Sequence, residues 1–253
     1  EVYKMNILVF GSINKDMTYH LDQFVRPKET ISAKSMEVFL GGKGLNQATA
    51  LARAGCKVFL AGNISCEDQG LLKEFHQLGI QTNYIGLIEN APTGHAIIQV
   101  DNTGQNCIII YSGANHKITK QQIDNVLQKF QPGDMLVLQN EINGLHYLME
   151  SAYTKGMSIV FNPSPFDDSI SHLPLEKITW LILNEVEGES LTGEKIPKQM
   201  TEKLIQKYPN CRIVLTLGSE GVLYRDASQF LTHGIYNVPV VDTTAAGDTF
   251  TGY

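Results

Sequence analysis

Cysteine is scarce in this chain, and the four present (Cys56, Cys66, Cys107 and Cys211) fall into no CxxC spacing. That removes the usual basis for a disulfide framework or a zinc site, and it predicts reduced thiols in the core of a cytoplasmic protein. The seven histidines form no HExxH or similar ligand spacing, so no transition-metal site built from protein ligands is expected. No apolar run approaches the ~18 residues that a bilayer span requires. No basic segment followed by an apolar stretch and a cleavage site opens the chain, which reads as no signal peptide. An excess of positive charge is missing too: 20 Lys and Arg stand against 26 Asp and Glu, a formal net charge of −6. Neither nucleic acid nor a membrane is therefore expected as a partner. There is no internal repeat, low-complexity segment or interdomain linker. With 253 residues, 43% hydrophobic and 18% charged, residues 1–253 are expected to form a single soluble domain with a substantial core.

Two phosphate-binding fingerprints are absent as well. Asn6-Ile7-Leu8-Val9-Phe10 reads as a buried parallel strand closed by Gly11. The stretch after it, Gly11-Ser12-Ile13-Asn14-Lys15-Asp16, holds one glycine where a dinucleotide fingerprint needs three. Gly41-Gly42-Lys43-Gly44-Leu45-Asn46-Gln47-Ala48 is not a P-loop, since no glycine stands five residues before Gly42 and Lys43 is followed by Gly44 rather than Ser or Thr.

What is present is an alternation of strands and helices. Strands are read at 57–61, 84–88, 135–138, 158–161, 180–183, 213–217 and 236–241. Helices are read at 45–54, ended by Gly55, at 68–78, and at 119–130 with Thr119 as N-cap. The pattern predicts an α/β fold: a doubly wound, mostly parallel sheet with helices on both faces. Two β-rich excursions interrupt it, at roughly 15–40 and 93–112. The first holds strand-like alternation at 31–34 and 36–39; the second is a hairpin turning at Asp101-Asn102-Thr103-Gly104. Together they predict a small β-sheet lid.

Polar residues follow the strands: Asn14, Glu141, Asn162, Asn184, Thr216 and Asp242. In an open α/β sheet these gather at one edge, where ligands bind. Asn14 offers a donor and an acceptor and Asp16 two acceptors, which suits vicinal hydroxyls of a sugar or, equally, an Asx turn. The glycine pair before 45–54 is either a tight turn or a close approach to ligand. Glu187 reads as a solvated carboxylate in a helix's first turn. At the end of the chain, the run 236–241 leads through Asp242-Thr243-Thr244-Ala245-Ala246-Gly247 into Asp248-Thr249-Phe250, the start of a short helix. Its first turn is an anion site, and Asp248 there is either a residue that satisfies the helix dipole or a catalytic base.

Asp242-Thr243-Thr244-Ala245-Ala246-Gly247-Asp248-Thr249-Phe250 closely resembles a signature of the ribokinase family of carbohydrate kinases, and residues 41–48 resemble that family's N-terminal motif. The resemblance extends over essentially the whole chain. It implies ATP-dependent phosphorylation of the 5-hydroxyl of D-ribose, with Asp248 as general base and the Ala245, Ala246 and Gly247 backbone as the anion hole. It places the sugar on Asn14, Asp16, Gly42, Lys43, Asn46 and Glu141, and ATP on Asn184, Thr216, Gly218 and Gly221. Mg2+ would be held through water by Glu187, and an activating K+ near Asp242 and Thr244. The lid of many members is also the contact of a homodimer. Family members continue for further elements that complete the adenine wall, so weak ATP binding and low activity are expected for this chain. The alternatives are another sugar or nucleoside kinase of the same family, or a sugar-binding chain with little kinase activity.

Overall fold

The computed structural model describes residues 5–240 and 243–253. In chain order the elements of the first half are β1 (Ile7–Phe10), β2 (Asn14–His20), β3 (Ser35–Gly41), α1 (Lys43–Arg53), β4 (Val58–Ser65), α2 (Leu71–Gln77), β5 (Gln81–Ile88), β6 (Gly94–Val100) and β7 (Asn106–Tyr111). They are followed by α3 (Lys120–Leu127), β8 (Met135–Gln139), α4 (Leu145–Thr154), β9 (Ser158–Asn162), β10 (Trp180–Asn184), α5 (Glu185–Thr192), α6 (Pro197–Lys207), β11 (Arg212–Thr216), β12 (Val222–Arg225), β13 (Phe230–His233) and α7 (Ala246–Gly252).

Nine strands form one sheet in the order β13-β12-β11-β10-β9-β8-β1-β4-β5. All neighbours pair in parallel except at β11–β12 and β12–β13. The residues of β1 show why its sequence is apolar throughout. Leu8 and Phe10 enter one core layer with Ile123, Leu136, Leu138 and Leu148. Ile7 and Val9 enter the other with Leu45, Leu51, Leu60 and Phe75. Successive side chains of a strand point to opposite faces, so a strand covered by helices on both sides needs apolar residues at every position. Each such side chain contributes about 1.5–3 kcal/mol. Among the described residues, no helix is long and apolar enough to cross a membrane.

A second, four-stranded sheet is ordered β3-β2-β6-β7. Its central pair β2–β6 is parallel and its outer pairs are antiparallel. The hairpin turns where the sequence places it, with Asp101 accepting from the Thr103 and Gln105 amides.

The structure corrects several readings. Residues 31–34 lie in an irregular connection, and the strand starts only at Ser35. Residues 236–240 form no strand, and Val241 lies outside the described residues; Tyr236, Val238 and Val240 stay exposed, because β-propensity makes no strand without a pairing neighbour. The antiparallel strands β12 and β13 and the helices α4 and α6 were not expected. Of the four cysteines only Cys211 is buried, which pushes its thiol up to about 12, whereas Cys107 is exposed on β7.

Candidate active site

The strand order reverses between β1 and β8, and open α/β sheets bind ligands at such a point. Here the chain leaving β1 is packed against the start of α1. A Cβ on Gly44 would sit 2.5 Å from Gly11 C and Ser12 N, and Gly42 takes a φ of 87°. These two glycines let α1 begin directly over the crevice. The helix has no acidic residue in its first turn. Glu141, arriving from the end of β8, takes that place: it accepts the Lys43 amide at 2.9 Å and the Ser12 hydroxyl, while Ser12 Oγ accepts the Gly44 amide at 3.2 Å. One oxygen of Glu141, expected to serve a sugar, is thus committed to the N-terminus of α1, where a negative charge is favoured.

Across the crevice, β2 carries Asn14 and Asp16. Asn14 Oδ1 accepts from Asn115 Nδ2 at 2.8 Å, and Asn115 Oδ1 in turn accepts the Ile13 amide at 3.0 Å. One half of the Asn14 amide is therefore committed to Asn115, which leaves Nδ2 as the half open to a ligand. Asp16 is partly buried, and a Cβ on Gly41 would lie 1.9 Å from its Oδ2, so only glycine leaves that carboxylate its space. Burial first, and the nearby Glu141 charge second, push the Asp16 carboxyl up to about 6.

The other wall is α7, lying against α1. Gly252 permits the approach, since a Cβ there would be 2.3 Å from Ala50 Cβ. The contact buries Asp248 to 5% exposure and sets its carboxylate beside three donors. Asn46 Nδ2 lies 3.2 Å from Oδ2, Gln47 Nε2 3.0 Å from Oδ1, and Lys43 Nζ 3.7 Å from Oδ1. Residues 46 and 248, which the sequence singled out separately, are joined here.

A cleft continues from Asp248 between the ends of β9, β10 and β11, lined by Lys43, Asn162, Asn184, Glu187, Thr216 and Gly247 among others. Asn184 and Glu187 form a reciprocal cap on α5. The Glu187 amide donates to Asn184 Oδ1 at 2.9 Å, and the Asn184 amide to Glu187 Oε2 at 3.0 Å. Glu187 is 4% exposed, which corrects its reading as a solvated first-turn carboxylate. Gly218 and Gly221 do not line the cleft. They form the turn before β12, where Gly221 has a φ of 101° and a Cβ would lie 2.0 Å from His233 O.

The Ala-Ala-Gly run is divided. Gly247 and Asp248 line this cleft, whereas Thr244 and Ala245 line a separate groove with Thr49, Arg53 and Tyr253. Ala245 has a φ of 56°, uncommon for a residue with a Cβ, and the Ala246 amide donates to Thr243 O at 3.1 Å. Ala246 is thus engaged within the turn. Asp242 lies outside the described residues. Ser12, Gln47, Asn115 and Gln139 were not singled out by sequence. Gln47 was detectable in principle, being a polar residue on the apolar stripe of α1 formed by Gly44, Ala48 and Leu51.

This arrangement offers a partly buried polar crevice on one side of a carboxylate and a cleft with a second buried carboxylate on the other. It is suited to proton removal from a bound hydroxyl beside an anionic group. Compared with known families, the chain matches the pfkB family of carbohydrate kinases over residues 4–252. It is 33% identical to a ribokinase of Haemophilus influenzae, over 98% of this chain and 84% of that protein. It is 28% identical to a deoxyribokinase of Salmonella typhi over the same shares. A solved structure of Arabidopsis thaliana ribokinase complexed with ribose and ATP superimposes with a TM-score of 0.86 at 27% identity, over 99% of this chain and 84% of that one. The chain belongs to the pfkB family of carbohydrate kinases and is a phosphotransferase acting on a hydroxyl group.

Proposed function

We propose that the chain transfers the γ-phosphoryl group of ATP to the 5-hydroxyl of D-ribose. The observation that carries this reading is the convergence of Asn14, Asp16, Lys43 and Asn46 on the crevice that also holds Asp248. Asp16 and the Asn14 amide hydrogen-bond vicinal hydroxyls of the sugar, with Gly42, Lys43, Asn46 and the remaining oxygen of Glu141 completing its contacts. The 5-hydroxyl then faces Asp248. Asp248 takes its proton as the oxygen attacks the γ-phosphorus; the bond to the bridging oxygen breaks, and ADP leaves with the electron pair. The Gly247 backbone amide, at the start of α7 and lining the cleft, holds the developing charge; Ala245 and Ala246 shape the turn that leads into it. ATP lies along the cleft past Asn184 and Thr216 toward Gly218 and Gly221.

Glu187 fits a magnesium site: Oε2 caps α5, Oε1 accepts no hydrogen bond among the described residues, and the residue lines the cleft. Magnesium keeps several waters, so one carboxylate is sufficient. When bound, the ion would neutralise phosphate charge. An activating K+ near Asp242 and Thr244 belongs to the same reading.

In this reading the four-stranded sheet is the lid inserted in a single domain, and it serves as the contact of a homodimer. Its two edge strands leave Met36, Val38, Phe39, Ile108, Ile109 and Ile110 exposed, apolar surface of the kind that marks an interface. Sedimentation should then give twice the chain mass.

A 2-deoxy sugar is the second reading, favoured by the deoxyribokinase relative. It would leave a buried polar group unpaired. Ribose should therefore be preferred over 2-deoxyribose by about tenfold or more in kcat/KM. A coupled ADP-release assay over pentoses, hexoses and nucleosides, with and without K+, decides this. Preference for 2-deoxyribose, a hexose or a nucleoside would overturn the ribose assignment.

A further inference from the structure

Behind Asp248 lies a row of buried amides to which the proposed reaction assigns no role. Gln47 is completely buried; its Nε2 donates to Asp248 Oδ1 at 3.0 Å and to Asn162 Oδ1 at 3.2 Å. Its Oε1 accepts from the equally buried Gln139 Nε2 at 2.7 Å. Asn162 Nδ2 donates to the Ile182 carbonyl at 2.9 Å.

The sense of every amide in this row is dictated from its ends. A backbone carbonyl and an ionised carboxylate can only accept. Ile182 O therefore turns the Asn162 nitrogen toward itself, which leaves Asn162 Oδ1 facing Gln47. Asp248 and Asn162 both require donors, so the two hydrogens of Gln47 Nε2 are spent on them and Gln47 Oε1 must face away. Gln139 must then offer its nitrogen, and its oxygen is left over. Gln139 Oε1 is indeed buried without a hydrogen-bond partner among the described residues, 2.2 Å from where a Cβ on Gly11 would stand. An orphaned buried acceptor is destabilising. This one is explained by the polarity that Asp248 imposes at the other end of the row.

We propose that Gln47, Gln139 and Asn162 are positioning residues for Asp248, holding Oδ1 so that the carboxylate keeps one orientation toward the substrate hydroxyl. The inference rests on the reading of Asp248 as the base. A purely structural role, tying α1 to β8 and β9, would make activity follow stability.

The test compares Gln139→Leu, Gln47→Glu and Asp248→Asn with the wild-type chain by kcat, sugar KM, thermal unfolding and the pH dependence of kcat. Gln139→Leu removes the orphaned oxygen together with the donor that orients Gln47. Because it also strips Gln47 Oε1 of its donor, one unpaired acceptor replaces another and thermal stability should change little, while kcat falls by about tenfold and the sugar KM stays within about threefold. Gln47→Glu sets a second carboxylate against Asp248 and should move the acidic limb of the kcat profile upward by about one pH unit or more. Should Gln47→Glu fail to fold, Gln139→Leu decides alone. If Asp248→Asn is inactive while Gln139→Leu keeps wild-type kcat within about twofold, the base reading stands and the positioning role is overturned. If Asp248→Asn retains wild-type kcat, the base reading fails and takes this proposal with it.

Discussion

At the Asp248 end of the crevice, bonds span the chain: Asp248 reaches Asn46 and Gln47 across 202 and 201 residues, and Glu141 reaches Lys43 across 98. At the Glu187 end, Asn184 and Glu187 cap each other across 3 residues, and the turn after β11 closes through the Leu217 amide to the Gly221 carbonyl. The first geometry exists only when the whole sheet is assembled. The second is local helix-cap and turn chemistry that a short segment can adopt alone. A site built from distant side chains holds them rigidly and tolerates little change. A site built from caps and turns adjusts within its own loop. The residues proposed to discriminate one hydroxyl and to accept its proton stand in the rigid half.

The comparison is broken most severely by Asp248→Asn, which removes the carboxylate on which the long-range bonds converge. Turnover should fall by about 10²–10⁴-fold, with ribose binding by calorimetry largely retained. A variant with more than about half of wild-type kcat would show that the rigid half is not where the proton goes.

Gly44→Ala tests rigidity through packing. The added Cβ meets backbone of Gly11 and Ser12 at 2.5 Å, and neither can withdraw without displacing β1. Destabilisation of about 1–3 kcal/mol is expected in denaturant unfolding, with a raised sugar KM. An unchanged midpoint would mean that the approach of α1 to β1 is looser than its geometry.

The third test is pH. The Asp16 carboxyl lies at about 6 in the folded state against 3.8 ordinarily. Its folded-state value is raised, so the stability it contributes is fully present below about pH 3.8 and is lost as pH rises through about 6. The charged form is the better acceptor for hydroxyls, so ribose affinity should weaken as pH falls through the same value. Asp16→Asn should bind more weakly and flatten that dependence. A wild-type titration without pH dependence near 6 would remove Asp16 from the contact.

The smallest effect belongs to the local half. Glu187→Gln keeps a side-chain oxygen to accept the Asn184 amide, so stability should change by less than about 1 kcal/mol. The magnesium dependence of turnover should shift, and the sugar KM should not. Loss of ribose binding in this variant would show that the two halves are coupled and not independent.

Much of this was legible in the order of residues. The continuous apolar runs of β1, β8, β9 and β10, the Thr119 cap of α3 and the hairpin at residues 101–104 follow from rules acting within a few residues. So do the glycines of 41–44, since backbone conformation and close approach leave a mark on residue type. Sequence reading failed where pairing decides. Residues 236–240 have strand composition and no strand, while β12 and β13 are strands because each has a neighbour to bond.

The sequence by itself determined that Asp248 opens a helix and that Asn14, Lys43 and Glu141 follow or precede elements of an α/β sheet. Their identities, spacing and local conformation are encoded there. Only the tertiary structure decided that Asn46 and Gln47 would meet Asp248, and that Glu141 would spend one oxygen on α1. It also decided that Glu187 would be buried and that Gln139 would carry an oxygen unpaired among the described residues. Hydrogen-bond geometry between segments some 200 residues apart depends on how closely two helices and two strands approach. That distance is set by packing against Gly11, Gly44 and Gly252, and no short-range pattern specifies it.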